Sequence, residues 1–116
     1  MQILLILHDA PYGSERSFNA LRLAASLDDG NNTVRLFCIG DAAWTAVRGQ
    51  TPPESCSYNA EWLLQRFLAG GREVLVCRTC MDARGIRDGD LIPGAVRGSL
   101  DDLSRWTLTA DRVLSF

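Results

Sequence analysis

The chain alternates between short apolar runs of strand length and stretches whose apolar residues recur at helical spacing. "ILLIL" (3–7) is an unbroken apolar run, as expected of a strand covered on both faces. "APYGSE" then reads as a turn, with Gly13 giving backbone freedom and Ser14 placed to cap a helix. Phe18, Leu21, Leu23, Ala24, Ala25 and Leu27 follow helical spacing, and "DDGNN" stops that helix. "TVRLFCIG" (33–40), β-branched and aromatic, is the second strand. "DAAWTAVRG" (41–49) predicts a short helix capped by Asp41, and the prolines of "QTPPESCS" (50–57) predict a loop. Ala60, Leu63, Leu64, Phe67 and Leu68 mark the next helix, closed by Gly70-Gly71.

"EVLVC" (73–77) is the third strand, and "TCMDARG" has room for one or two helical turns ending at Gly85. "AVR" (95–97) predicts a short fourth strand. Ser99 and Asp102 form a capping-box pattern for a helix with Leu100, Leu103, Trp106 and Ala110 along one side. "RVLSF" (112–116) is the fifth strand. Strands alternating with helices imply a parallel sheet with helices on both faces, an α/β fold built as a single domain over residues 1–116. In such sheets ligands sit beyond the carboxyl ends of the strands. The residues placed there are His8, Asp9, Gly40, Asp41 and the segment Cys77 to Cys80.

Composition narrows the function. The chain has 116 residues, 47% of them hydrophobic and 22% charged, which is the profile of a globular domain large enough to fold without staples. A net charge of -2 gives no electrostatic case for nucleic acid or an anionic membrane as partner. The apolar start stops at His8, too early for a signal-peptide core or a membrane span, so a reducing cytoplasm is expected. There the four cysteines are read as thiols rather than as two disulfides. Trp44, Trp62, Trp106, Tyr58 and Phe116 are many large apolar groups for so small a sheet protein; some should be exposed in a monomer and covered in an oligomer.

Cys77 and Cys80, three positions apart, carry the candidate chemistry. A structural zinc site needs four ligands, usually two close pairs, whereas only one pair is present beside single Cys38 and Cys56. A thioredoxin-like dithiol has this spacing beside a strand and a helix, but Arg78 and Thr79 between the cysteines differ from its usual pair. Simple packing suits Cys38, flanked by Phe37 and Ile39. Cys77 ends a strand where a helix begins, with Arg78, Arg84 and Arg87 nearby and Asp82 opposing them, a setting that favours a reactive thiolate.

"APYGSE", "DAAWTAVRGQ", "VCRTCMDARGI" and "WTLTADRVLSF", in that order and at matching spacing, make the whole chain resemble the DsrE/DsrF-like family of small sulfur-relay proteins, in its YchN-like branch. The resemblance implies a three-layer α/β/α fold with a five-stranded parallel sheet (DsrEFH-like). It also implies a homo-oligomer, a hexamer or a trimer, with cysteine sites near subunit interfaces. Cys77 matches the family's sulfur-carrying cysteine, and Cys80 a second cysteine typical of the branch. The implied function is to take sulfane sulfur from a donor protein as a persulfide on Cys77 and pass it to an acceptor thiol.

No cofactor and no metal are expected, and neither nucleic acid nor membrane. Gly13, Ser14, Arg78 and Thr79 are candidates for lining the substrate's approach, although Gly13 and Ser14 also read simply as a turn glycine and a helix cap. His8 could serve as a base, but a single histidine ending a strand is more commonly a local hydrogen-bonding residue. Two competing expectations stay open: a non-enzymatic oligomeric module with structural or redox-sensitive cysteines, and a thioredoxin-like dithiol using Cys77 and Cys80.

Overall fold

The apolar runs become strands β1 (Gln2–Leu7), β2 (Thr33–Cys38), β3 (Val74–Cys77), β4 (Ala95–Gly98) and β5 (Arg112–Ser115) in a computed structural model that describes all residues 1–116. Helices α1 (Arg16–Leu27), α2 (Ala60–Ala69), α3 (Arg78–Ala83) and α4 (Leu100–Thr109) separate them, with a 3-10 segment at Gly40–Ala46 after β2. The sheet is wholly parallel in the order β4-β3-β2-β1-β5. The fold is the expected three-layer α/β/α arrangement around a five-stranded parallel sheet.

That strand order decides how the two faces are covered. Three successive connections step the same way across the sheet, while the connection from β4 to β5 returns over β3, β2 and β1. Right-handed crossovers therefore put α4 on the face opposite the other helices. The main core confirms the division: Leu5, Leu7, Leu36 and Val76 pack there against Leu21 of α1, Leu64 of α2 and the small residues Ala42, Ala43 and Ala46. On the other face Leu4 and Phe37 meet Trp106 of α4, with Ile6, Ile39, Leu75 and Cys77 around them. Phe37 and Trp106 pack edge to face, with ring centroids 6.4 Å apart.

A single helix about 10 Å wide cannot cover five strands spaced about 4.8 Å apart. The second face is consequently thin. By register it carries Val96 (55% exposed) and Val113 (42%), and α4 adds Leu100 (73%) and Leu108 (87%). Leu100, read from the sequence as lying along one side of α4 with Leu103, Trp106 and Ala110, is exposed; only Trp106 of that helix reaches full burial over the sheet. Of the large aromatic residues singled out above, Trp106 is buried, Trp44 and Trp62 are exposed, and Tyr58 and Phe116 are half-buried.

Two helix starts differ in an instructive way. Ser99 Oγ accepts the Asp102 N–H at 3.1 Å, and the Asp102 carboxylate accepts the Ser99 N–H at 2.9 Å, completing the capping box. Ser14 is not the residue that precedes α1: that is Glu15, with φ of 59°, while the Ser14 hydroxyl donates to the Asp9 carboxylate at 2.7 Å and accepts the Arg16 N–H only at a long 3.5 Å. Asp41 likewise lies within the first turn of the 3-10 segment instead of capping it, because its carboxylate is taken by Arg84.

Candidate functional site

Alternation along β3 sends Val74 and Val76 into the main core and Leu75 and Cys77 to the thin face. Cys77 is both the last residue of β3 and the residue preceding α3, so its side chain stands at the carboxyl edge of the sheet where the backbone turns into a helix. Beside it lies Gly98, its register partner on β4. A Cβ at position 98 would approach the Cβ of Leu75 to 2.9 Å, so close packing of β4 on β3 requires glycine there. The result is a cavity of about 260 Å³ walled by Phe37, Ile39, Gly98 and Leu100, with Cys77, Arg78, Thr79 and Cys80 along its remaining side.

Cys80, one turn into α3, packs against the main core. Its Sγ accepts the Gly40 N–H at 3.1 Å. Gly40 has φ of 60° and a would-be Cβ 3.6 Å from the His8 carbonyl oxygen, so the turn that aims this N–H suits glycine. Arg84 fixes the helix to the same turn: Nη2 meets Asp41 Oδ1 at 2.8 Å and Nη1 donates to the Cys80 carbonyl at 3.1 Å. Arg97 holds it from the other side, through Asp82 at 2.7 Å and the Arg78 carbonyl at 3.4 Å.

The two thiols are driven in opposite directions. Burial alone would raise the pKa of Cys77, but side-chain hydrogen bonds from Cys80 and Thr79, and the backbone N–H groups of those residues, outweigh it and bring the thiol below its ordinary value. The Thr79 hydroxyl lies 3.2 Å from Cys77 Sγ. Cys80 is pushed up by burial and then by its hydrogen bond to Cys77 and by the charge there; the Gly40 N–H and Arg84 pull the other way. Of the two thiols, Cys77 therefore gives up its proton the more readily, and the thiolate is the form that acts as nucleophile. Cys38, wholly buried, is pushed up to about 12 by burial and is chemically silent at neutral pH.

The other candidates lie apart from this cavity. Gly13 and Ser14 sit in the β1–α1 turn and do not line it. His8 Nε2 is hydrogen-bonded to Ser115 Oγ at 2.8 Å, a local pairing. Arg78 and Thr79 do line the cavity, Arg78 without a carboxylate partner. No three His, Cys, Asp or Glu side chains gather as a metal cluster. A larger cavity of about 600 Å³, walled by Pro11, Tyr12, Trp44, Pro52 and Cys56, shares no residue with the thiol cavity. Its Cys56 thiol donates to the Tyr58 carbonyl at 3.2 Å.

Phe37, Ile39, Gly98 and Leu100 are site elements that sequence reasoning missed. Gly40 was placed on the same edge as Cys77 from its position at the end of the second strand, although nothing in the sequence marked its N–H as the partner of Cys80.

The sequence model of the DsrE/DsrF-like family matches residues 1–116 in full. The chain belongs to the DsrE/DsrF-like family. Within the family it is 44% identical to the protein YchN of Escherichia coli (strain K12), over 99% of this chain and 98% of that one. The crystal structure of YchN from E. coli superimposes with a TM-score of 0.91 and full coverage of both chains. At 11% identity, the protein MTH1491 of Methanobacterium thermoautotrophicum shares the fold with a TM-score of 0.79. A TusC homolog of Vibrio parahaemolyticus serotype O3:K6 (strain RIMD 2210633) is 25% identical over 99% of this chain and 98% of its own.

Proposed function

We propose that this DsrE/DsrF-like protein is a sulfur-relay carrier that holds sulfane sulfur as a persulfide on Cys77. The thiolate of Cys77 attacks the terminal sulfur of a donor persulfide. The S–S bond of the donor breaks, the donor leaves as its thiolate, and the sulfur stays on Cys77 until an acceptor thiol attacks it. The observation that carries this function is the acidified, half-buried thiol of Cys77 at the wall of a largely apolar cavity. Apolar walls keep water from a persulfide, and the Thr79 hydroxyl and nearby N–H groups stabilise sulfur anions at the same place. A purely structural role accounts for Cys38 but leaves the acidification of Cys77 without a purpose.

The thin face of the sheet supports assembly with further copies of the chain, a hexamer by analogy with the family. Val96 and Leu100 lie beside the cavity on that face, so a neighbouring copy seated there would deepen it. The natural partners are then a donor and an acceptor protein that reach Cys77 from the remaining open side. A reducing compartment such as the cytoplasm suits four free thiols. No helix is long and apolar enough to cross a membrane.

Intact-mass measurement after treatment with a low-molecular-weight persulfide tests the carrier. Sulfur uptake, or a Cys77–Cys80 disulfide formed from it, should occur in the wild type and vanish in Cys77→Ser. A Cys77→Ser protein that takes up sulfur on Cys80 as fast as the wild type would overturn the assignment.

A further inference from the structure

Cys77 and Cys80 occupy two special helical positions: the residue before α3 and the third residue within it. The same chain shows what those positions do to side chains. At the start of α4 they are filled by Ser99 and Asp102, and there the side chains touch, Oγ to Oδ2 at 3.0 Å. The side chain before a helix folds over the first turn, and the third residue reaches back to meet it. In α3 the same two positions are filled by thiols, close enough for each to shift the other's titration. Helix geometry puts α-carbons three residues apart at about 5 Å, inside the range that a disulfide spans. The Gly40 N–H fixes Cys80 Sγ from the side of the main core.

Resting on the persulfide carrier argued above, we propose that the site reduces the sulfur it takes up and discharges it as hydrosulfide through a Cys77–Cys80 disulfide. Once Cys77 carries the extra sulfur, Cys80 attacks Cys77 Sγ, the inner sulfur of the persulfide. The bond from Cys77 Sγ to the outer sulfur breaks as the Cys77–Cys80 bond forms, and the outer sulfur leaves as HS⁻ with both electrons of the broken bond. The proton released by Cys80 goes to solvent or onto the departing sulfide. The outer sulfur is reduced, and the two cysteines are oxidised to a disulfide. A dithiol reductant, small or protein-borne, then returns both cysteines to thiols.

Proximity favours this route. Cys80 competes for the persulfide at the high effective concentration of a tethered neighbour, whereas an acceptor protein must first dock. While Cys77 is a bare thiolate its charge holds the proton on Cys80; after sulfur transfer that charge moves one atom outward. The Gly40 N–H and Arg84 remain to favour the Cys80 thiolate. Cys80 is thereby the switch between carrying sulfur onward and releasing it.

A single-turnover experiment tests this. One equivalent of glutathione persulfide is added anaerobically to the reduced full-length protein, with released sulfide measured as its bimane adduct and the protein by intact mass. The wild type should release close to one sulfide per chain, lose the mass of two hydrogens, and need dithiothreitol before a second turnover. Cys80→Ser should gain the mass of one sulfur atom and release no sulfide. Cys80→Ala serves where the serine variant loses its circular-dichroism spectrum, because Cys80 packs on the core. A wild type that keeps the added sulfur and releases no sulfide overturns the discharge step while the carrier function stands. Failure of Cys80→Ser and Cys80→Ala to gain sulfur would instead sink the carrier itself, and the discharge step with it.

Discussion

Replacing Thr79 with valine removes one hydroxyl and keeps the β-branched shape, so it isolates the hydrogen bond at 3.2 Å to Cys77 Sγ. Hydrogen bonds to charged groups contribute about 1.5–3 kcal/mol. Cys77 is only half-buried and water replaces part of the loss, so the lower end applies. A loss of about 1.4 kcal/mol changes an equilibrium tenfold, and the thiolate fraction at low pH should fall by about that factor. The thiolate that remains is more basic and more nucleophilic; with a Brønsted slope of about 0.4–0.5 it reacts about threefold faster. The two effects predict a crossing. Thr79→Val should react about threefold more slowly than wild type well below the thiol's pKa, and about threefold faster where both are fully ionised. The assay is thiol–disulfide exchange with a small aromatic disulfide across pH 5 to 10, read at Cys77 by peptide mass. Superimposed profiles would mean that the hydroxyl does not donate to the thiolate and that the backbone N–H groups alone acidify Cys77.

Trp106→Ala removes the one fully buried residue of α4 together with its contact to Phe37, and should cost about 3 kcal/mol in urea denaturation, the low end for such truncations because the thin face can relax; a loss under about 1 kcal/mol would contradict the packing described. Cys38 has a folded pKa raised to about 12 from 9.0, so its stabilising contribution is intact below pH 9 and drains away between 9 and 12, at no more than about 1.4 kcal/mol per pH unit. Cys38→Ala should flatten the decline in stability between pH 9 and 10.5, and an unchanged slope would assign it to other groups. Light scattering should show an oligomer that Leu108→Glu combined with Val113→Glu reduces to smaller species, whereas a wild-type monomer at every concentration would remove the assembly.

Much of the fold was legible because its signals are local. The unbroken run at residues 3–7 and the spacing of Ala60, Leu64 and Phe67 each report their own backbone, and the Ser99–Asp102 capping box is a contact within one turn. Ser14 misled for the complementary reason: its hydroxyl turned to Asp9, a partner five residues away that capping patterns do not consider. Leu100 shows another limit. Periodicity tells which residues share a helix face, but how much sheet lies beneath that face follows from strand order. The cysteine pair could be placed from sequence because it ends an apolar strand. Its surroundings could not, since Phe37, Ile39 and Gly98 belong to β2 and β4 and their flanks, and reach Cys77 only through pairing of β3 with both neighbours.

The order of strands also sets a timetable for synthesis. β1 is made first and sits next to both β2 and β5, so one of its edges finds a partner after about thirty residues and the other waits for residues 112–115. Until then Leu4 and Ile6 face no helix, because α4, their cover, is made only just before β5. A nascent chain that already carries Cys77 and its helix still offers a bare strand edge and an apolar surface to other chains. The protein therefore completes its first strand with its last, and a chain stopped short of residue 112 should be a substrate for holdase chaperones even though its thiol pair has already been made.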